Sequence, residues 1–330
     1  MRIGVLCSGG DAPGMNCCIR GVVRKAVSEG HEVVGIMHGY QGILDEEFFI
    51  NREGKANMPI RSVSGLSSRG GTILYSSRCE AFMTEEGRKK AAENLDKHNI
   101  DALVAIGGNG TLRGALAFSK VWDGQIIGCP ATIDNDLKGT DITIGFDTAV
   151  DTAVEALDKL RDTATSHERM FYVEVMGRES GYLALCAAIA AGAEIVCIPE
   201  FIDSYEAIYN RLLELKRRKK DSILAVVAEG DELGGALDIQ KGVRAIGPEP
   251  FPSRVIILGH IIRGGVPCYG DRLFAASMGV GAVEALLAGE TGKMIGIVHG
   301  ERVLTPFEEV ICDRKEIKRN LLDLLETMSK

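Results

Sequence analysis

Short apolar runs rich in Val and Ile recur along the chain, at Ile3 to Cys7, Val33 to Met37, Ala102 to Ile106, Ile126 to Cys129, Phe171 to Val175, Ile195 to Ile198, Ile223 to Ala228, Val255 to Leu258 and Met294 to Val298. Their length and β-branched content predict buried strands. Between most of them lie helix-length segments with apolar spacing near 3.6. From Thr148 to Leu160, for example, Ala149, Val150, Ala153, Val154, Leu157 and Leu160 share a face while Asp151, Glu155, Asp158 and Lys159 lie off it. Strands alternating with helices predict an α/β protein with parallel sheets covered on both faces. Nine strands are many for one sheet, and 330 residues at about 150 per domain imply two such units.

Composition narrows the picture by exclusion. No apolar stretch approaches the roughly 20 residues that cross a bilayer, so no membrane partner is expected. Met1-Arg2 leads directly into the first apolar run, without a longer hydrophobic region or a cleavage signal, which predicts a cytoplasmic protein. Nine cysteines, odd in number and without a C-x-x-C pair, read as reduced, buried thiols. A net charge of −8 argues against a nucleic-acid partner, because such proteins concentrate positive charge. The one basic run, Lys216 to Lys220, reads first as a solvated helix end, with a polyanion or effector contact as the alternative. Forty glycines without periodicity mark sharp turns or close backbone approach to a ligand.

In open parallel sheets the binding crevice lies beyond the carboxyl ends of the strands. Two glycine-rich turns fall there, Ser8-Gly9-Gly10-Asp11-Ala12-Pro13-Gly14 and Gly107-Gly108-Asn109-Gly110-Thr111, and each leads into a predicted helix. Such turns let backbone N–H groups reach a phosphate at a helix N-terminus, although neither spells a P-loop or G-x-G-x-x-G. In the strand-end segment Thr132-Ile133-Asp134-Asn135-Asp136, alternate residues point the same way. A hydroxyl and two carboxylates then converge, as a general base and a hard-cation ligand for phosphoryl transfer would; the bland reading is an Asx-turn with solvated acids. Arg169, Arg178, Arg254 and Arg263, beside His167 and His260, sit near element ends and favour an anionic substrate.

At these residues the chain resembles the bacterial-type ATP-dependent 6-phosphofructokinase family. The resemblance runs from Ile3 to Asn16, through Thr132 to Asp136, Ser166 to Arg169 and Val173 to Arg178, to Leu258 to Gly265. It implies two Rossmann-like three-layer α/β domains with mainly parallel sheets. The nucleotide domain is expected at 1–142 and 258–303, and the sugar-phosphate domain at 143–257 and 304–330. It implies phosphoryl transfer from ATP, with Mg2+, to the 1-hydroxyl of fructose 6-phosphate. Asp134 would be the base, with Thr132 and Arg178 stabilising the migrating phosphoryl group. Gly10, Arg78, Cys79, Gly108, Asn109, Gly110 and Thr111 would line the nucleotide site. Asp136 and Asn109 would serve the metal. Met176, Gly177 and Glu229 would contact the sugar, and His260, Arg263, Arg169 and Arg254 its 6-phosphate. The last two match positions that reach in from a neighbouring subunit, so a homotetramer with shared sites is implied. Arg20, Arg24, Arg161, Glu194 and Lys220 match an effector pocket for ADP or phosphoenolpyruvate, in which Glu194 would hold a metal and the cations the anion.

One departure concerns the metal: Asn109 stands where the family commonly carries Asp, so the ligand keeps an oxygen but loses a charge. Family members using pyrophosphate tend to carry Asp at the position of Gly110 and Lys at that of Ala131. Small residues at both favour ATP. Two alternatives remain open at this level, a pyrophosphate-dependent enzyme and a catalytically weak regulatory nucleotide-binding homologue.

Overall fold

A computed structural model describes residues 1–201 and 203–328. In chain order the first elements are β1 (Arg2–Ser8), α1 (Met15–Ser28), β2 (Glu32–Gly35), α2 (Tyr40–Leu44), α3 (Glu85–Lys97), β3 (Ala102–Gly107), α4 (Asn109–Phe118) and β4 (Gln125–Pro130). The middle of the chain forms α5 (Phe146–Ser166), β5 (Met170–Val175), α6 (Tyr182–Ala190), β6 (Ile195–Cys197), α7 (Tyr205–Arg217), β7 (Ile223–Ala228), α8 (Ala236–Ile246) and β8 (Ser253–Ile257). The last part supplies α9 (Tyr269–Leu287), β9 (Lys293–Val298), β10 (Glu301–Pro306), α10 (Phe307–Cys312) and α11 (Arg319–Met328).

The strands form two sheets, in the orders β10-β9-β4-β3-β1-β2 and β6-β7-β5-β8. The chain divides accordingly. One unit holds Met1–Ile133, Leu137–Thr148 and Arg263–Lys315, and the other holds Asp134–Asp136, Ala149–Ile262 and the segment from Glu316 onward. Within the expected sugar-phosphate domain, positions 202, 329 and 330 lie outside the described residues.

The fold class is the expected two-sheet α/β arrangement, but the described residues form ten strands, not nine. The tenth, β10, pairs antiparallel with β9, Glu301 opposite Val298. His299 and Gly300 connect them with φ of 54° and 84°, a two-residue turn in the left-handed region whose twist suits a hairpin. Charged Glu301 and Arg302 hide this strand from a search for apolar runs.

In the six-stranded sheet, alternation sends Leu6, Val34, Leu103, Ala105, Ile126 and Met294 into one core with Tyr40, Leu95, Leu112, Phe118 and Phe307. Cys7 and Cys129 point to the opposite face, where Cys129 interacts with Cys18 of α1. All nine cysteines are free thiols; five are fully buried, and Cys312 is exposed, against the expectation of burial throughout. Burial pushes the Cys7 thiol up to about 12, so it stays protonated.

Helices α1 and α9 cross over that face at small residues. A Cβ on Gly21 would stand 2.6 Å from the Ala276 carbonyl, and one on Gly279 only 2.2 Å from that of Cys18. Backbone cannot yield as a side-chain tip can. Gly279→Ala is therefore expected to cost about 1–3 kcal/mol as an overpacked contact, read as a lower urea midpoint with an unchanged slope.

The four-stranded sheet is wholly parallel. Its core joins Tyr172, Cys197, Ala225 and Val227 to Ile208 and Leu212 of α7 and Ile239 and Val243 of α8. The basic run closes α7, with Lys216 and Arg217 in its last turn, where cations suit the helix dipole. The Lys216 ammonium also lies 4.7 Å from the centre of the Phe251 ring.

Candidate active site

In the first unit, β1 and β3 are neighbours with Ser8 paired to Gly107, so the two glycine turns leave the sheet side by side. Thr111 ties them together: its hydroxyl, buried at the start of α4, donates to the Ser8 carbonyl at 2.8 Å. That closeness demands glycine at 107, where a Cβ would fall 2.2 Å from Thr111 Oγ1 and 2.4 Å from Ser8 O. Gly9 and Gly14 adopt φ of 86° and 111°, the left-handed region that favours glycine. Gly14 then opens α1 by accepting the Cys17 N–H at 2.8 Å. Each turn thus leads its backbone N–H groups to a helix N-terminus, as an anion site requires.

Next along the sheet, Thr132 follows β4 and is buried beside Gly108, whose Cβ position is 3.4 Å from its own. The Thr132 carbonyl accepts the Thr143 hydroxyl at 2.6 Å. Gly110 differs from its neighbours, because a Cβ there meets no atom within 4 Å. Arg78 is exposed and Cys79 half-buried.

Both Arg78 and Cys79 lie on a segment that the sequence reading leaves unsupported. Asn16, only 1% exposed, donates through Nδ2 to the Arg69 and Gly70 carbonyls at 3.1 Å each and accepts the Ile73 N–H at 2.8 Å. Ser76 donates to the Gly9 carbonyl at 2.5 Å. Asn16 is the polar residue on an otherwise apolar first turn of α1. That contrast is the signal that could have found it.

In the second unit, Asp134 and Asn135 are buried and Asp136 half-buried. Asn135 turns the chain with φ 48°, and Ser180 donates to the Asp134 carbonyl at 2.8 Å. Arg178 follows β5 in a left-handed conformation, φ 53°. Its Nε stands 4.0 Å from Asp134 Oδ2, with the arginine side chain 65% exposed and the carboxylate 7%. Glu229 fixes that turn, accepting the Arg178 N–H at 2.8 Å and the Gly177 N–H at 3.3 Å on one oxygen. Met176 is buried beside them. The structure thus brings Asp134, Arg178 and Glu229 into one chain of contacts, and adds to Glu229 a backbone-holding part.

Arg169 and Arg254 belong to the other end of this sheet. Arg169 precedes β5, Arg254 is the second residue of β8, and Phe171 pairs with Arg254. They lie at the amino ends of strands whose carboxyl ends carry Met176, Arg178 and His260. A six-residue strand separates those ends by roughly 17–20 Å, so one copy of this sheet does not gather all these residues at one phosphate. Arg263 lies in the first unit, seated on the Gly10–Asp11 turn.

Of the residues matched to an effector pocket, Glu194, Arg161 and Lys220 meet one another. The buried Glu194 carboxylate accepts from Arg161 Nη1 at 3.1 Å, Lys220 Nζ at 3.2 Å and the Leu224 N–H at 2.9 Å. Both cations expected to hold an anion are therefore spent on the residue expected to hold a metal. Arg20 and Arg24 lie on α1 in the first unit.

For Mg2+, the donors on offer are carboxylate and amide oxygen, the hard ligands this cation prefers. Among the described residues no three His, Cys, Asp or Glu side chains form a metal-holding cluster. That fits an ion held largely by water and a ligand's phosphates, as Mg2+ commonly is, rather than by a protein cage.

Adjacent glycine turns on one sheet, and a carboxylate facing a guanidinium at the end of the other, are the parts of an α/β enzyme that handles phosphate esters. Comparison with known proteins makes the class specific. The family model described as Phosphofructokinase matches residues 2–286. The chain is 48% identical over 328 residues to ATP-dependent 6-phosphofructokinase 1 of Thermus thermophilus, covering 99% of each chain. It is 46% identical over 327 residues to ATP-dependent 6-phosphofructokinase 2 of Bacteroides thetaiotaomicron, covering 99% of this chain and 98% of that one. The solved phosphofructokinase of Saccharomyces cerevisiae superposes with a TM-score of 0.86 at 33% identity, over 99% of this chain and 47% of the yeast chain. A pyrophosphate-dependent phosphofructokinase from Marinobacter aquaeolei shares the fold, with a TM-score of 0.85 at 21% identity over 99% of this chain and 91% of that one. The chain belongs to the phosphofructokinase family.

Proposed function

We propose that the protein transfers the terminal phosphoryl group of ATP to the 1-hydroxyl of fructose 6-phosphate, giving fructose 1,6-bisphosphate and ADP, the committing chemistry of glycolysis. The observation that carries this reading is end-to-end identity of 48% to a protein named as an ATP-dependent 6-phosphofructokinase. The Asp134–Arg178 pairing supports it from within the chain.

In this mechanism the Asp134 carboxylate accepts the proton of the sugar hydroxyl as its oxygen bonds to the terminal phosphorus and the bond to the ADP oxygen breaks. Arg178 lies 4.0 Å from that carboxylate on an exposed side chain, so it can swing to the transferring group and neutralise its oxygens. Thr132 offers a hydroxyl beside Gly108 for the same group. Backbone N–H groups of the two glycine turns, with Arg78, Cys79, Asn109 and Thr111, hold the nucleotide. Mg2+, when bound with ATP, screens the charge of the phosphates, and Asp136 and Asn109 are the oxygen donors proposed for it. Met176, Gly177 and Glu229 face the sugar, His260 and Arg263 are assigned to its 6-phosphate, and Arg169 and Arg254 serve the 6-phosphate of a neighbouring copy.

The separation of Arg169 and Arg254 from Arg178 along the strands supports that sharing, and with it a homotetramer. So do Val266, Tyr269 and Leu273, which are 60%, 86% and 70% exposed; Tyr269 and Leu273 share a face of α9, an apolar surface suited to a second copy. Effector control by ADP or phosphoenolpyruvate is proposed at Arg20, Arg24, Arg161, Glu194 and Lys220. An effector phosphate must there draw Arg161 and Lys220 away from Glu194. No helix among the described residues is long and apolar enough to cross a membrane, and the proposed place of action is the cytoplasm.

A turnover assay with fructose 6-phosphate and either ATP or pyrophosphate, each with Mg2+, tests the reaction. Product with ATP and none with pyrophosphate is expected. Turnover with pyrophosphate alone reverses the donor, and none with either makes the chain a regulatory homologue.

A further inference from the structure

Asp271 lies in the first turn of α9 and is 1% exposed, a buried acid to which the proposed reaction gives no part. Its Oδ1 accepts the Gly145 N–H at 2.7 Å, and its Oδ2 accepts the Thr148 N–H at 2.8 Å and the Thr148 hydroxyl at 2.5 Å. The Thr148 oxygen in turn accepts the Cys268 N–H at 3.0 Å. Both carboxylate oxygens are therefore used as acceptors. An amide of the same shape would turn an NH2 group on one of these donors, so the position calls for a carboxylate.

The segment that Asp271 grips reaches in two directions within the same unit. On one side, Thr143 donates to the Thr132 carbonyl at 2.6 Å, and Ile144 pairs with Ala131 and donates to the Pro130 carbonyl at 2.9 Å. On the other side it packs on the first glycine turn. The Cβ position of Gly145 lies 2.6 Å from Ala12 Cβ and 3.0 Å from Pro13 Cδ, and that of Gly14 lies 2.8 Å from Ile144 Cγ2. One short segment thus spaces Thr132 from the turn that carries Gly10, and Asp271 anchors it.

We propose that Asp271 is a positioning residue for phosphoryl transfer. By holding Gly145 and Thr148 it keeps the Thr132 hydroxyl in register with the first glycine turn, where the migrating group is proposed to lie. The assignment rests on the kinase reading. A role confined to capping the start of α5 would instead cost stability alone.

Asp271→Asn keeps the shape and spoils the acceptor pair. With ATP, fructose 6-phosphate and Mg2+ it is expected to lower kcat about tenfold or more, since misplacement by about 1 Å can cost about a hundredfold. Both Michaelis constants should stay within about threefold, as for an interaction made in the transition state. Thr132→Val removes the hydroxyl itself. In that background Asp271→Asn is expected to lower kcat by less than about threefold more, because both substitutions remove the same contribution. Thr84→Ala controls for stability: it strips the cap of α3, where the side chain accepts the Gly87 N–H at 3.0 Å, and should lower the melting temperature with kcat unchanged. Thr148→Val keeps the N–H bond and loses the hydroxyl one; it repeats the cycle if Asp271→Asn does not fold, with a kcat loss of about threefold expected and none beyond that of Thr132→Val in the double variant. A smaller loss than these, with only the melting temperature lowered, overturns the assignment. So does a loss that multiplies in full with that of Thr132→Val, or a Thr132→Val enzyme as fast as wild type. Wild type inactive with both ATP and pyrophosphate removes the kinase reading, and the assignment with it.

Discussion

Asp134→Asn is expected to lower turnover of ATP with fructose 6-phosphate by about a hundred- to ten-thousand-fold, the range a general base supplies. The substitution preserves shape, so the buried position, where the residue is 5% exposed, stays filled. The Ser180 hydrogen bond survives too, because it is made to the backbone carbonyl. What disappears is the ability to take a proton, together with the negative charge that faces Arg178 at 4.0 Å. The loss should therefore fall on kcat, with the Michaelis constants for both substrates changing by only a few-fold. Steady-state kinetics at saturating substrate give the answer. A variant that keeps a tenth or more of wild-type kcat would place the base elsewhere.

The second large effect is expected at Gly110. Its Cβ position is open, with no atom within 4 Å, and its φ is not in the left-handed region. Aspartate should enter without strain, and the melting temperature should stay within about 2 °C, since surface changes away from special features usually cost under about 0.5 kcal/mol. A carboxylate there would nonetheless project beside the second glycine turn. One like charge at about 4 Å of a phosphate costs about 4 kcal/mol at an effective dielectric of 20, close to a thousandfold in affinity. ATP turnover should collapse in a protein that is fully folded. Unchanged ATP kinetics in Gly110→Asp would mean that the nucleotide does not lie on this turn.

The turns that matter to these predictions were readable because their physics is local. Glycine is needed at 107 for the Thr111 contact, and the Gly9 turn needs glycine's φ; both leave a mark in the sequence at the place where they act. Nine strands were readable, where burial forced continuous apolar runs. Strand β10 was not, since its pairing depends on the two-residue turn at His299-Gly300 rather than on its own polarity pattern. Contacts between distant segments left the faintest trace. Nothing near Asn16 says that it holds residues 69 to 73, and nothing near Arg263 says that it rests on Gly10. The amino-end position of Arg169 and Arg254 likewise follows from strand register, which fixes which residues are neighbours across a sheet but cannot be read from either strand alone. Glu194 shows a different limit: residue type marks it as a metal ligand or an ion-pair partner with equal force, and only geometry shows two cations on it.

The order in which the six-stranded sheet is assembled has a consequence for its manufacture. Strand β4 ends at Pro130, yet its neighbour β9 spans Lys293–Val298, and the helix that covers α1 comes from the same late stretch. A ribosome adding about 5–20 residues per second leaves that sheet incomplete for roughly ten to thirty seconds. In that interval every strand of the other sheet has been made. The second-made sheet is thus the first that can close, while the first-made one waits with an apolar edge and the Gly21 side of α1 uncovered. Chains interrupted after about residue 262 should carry one finished sheet and one open one, and the open one is what a holding chaperone or a neighbouring nascent chain would meet.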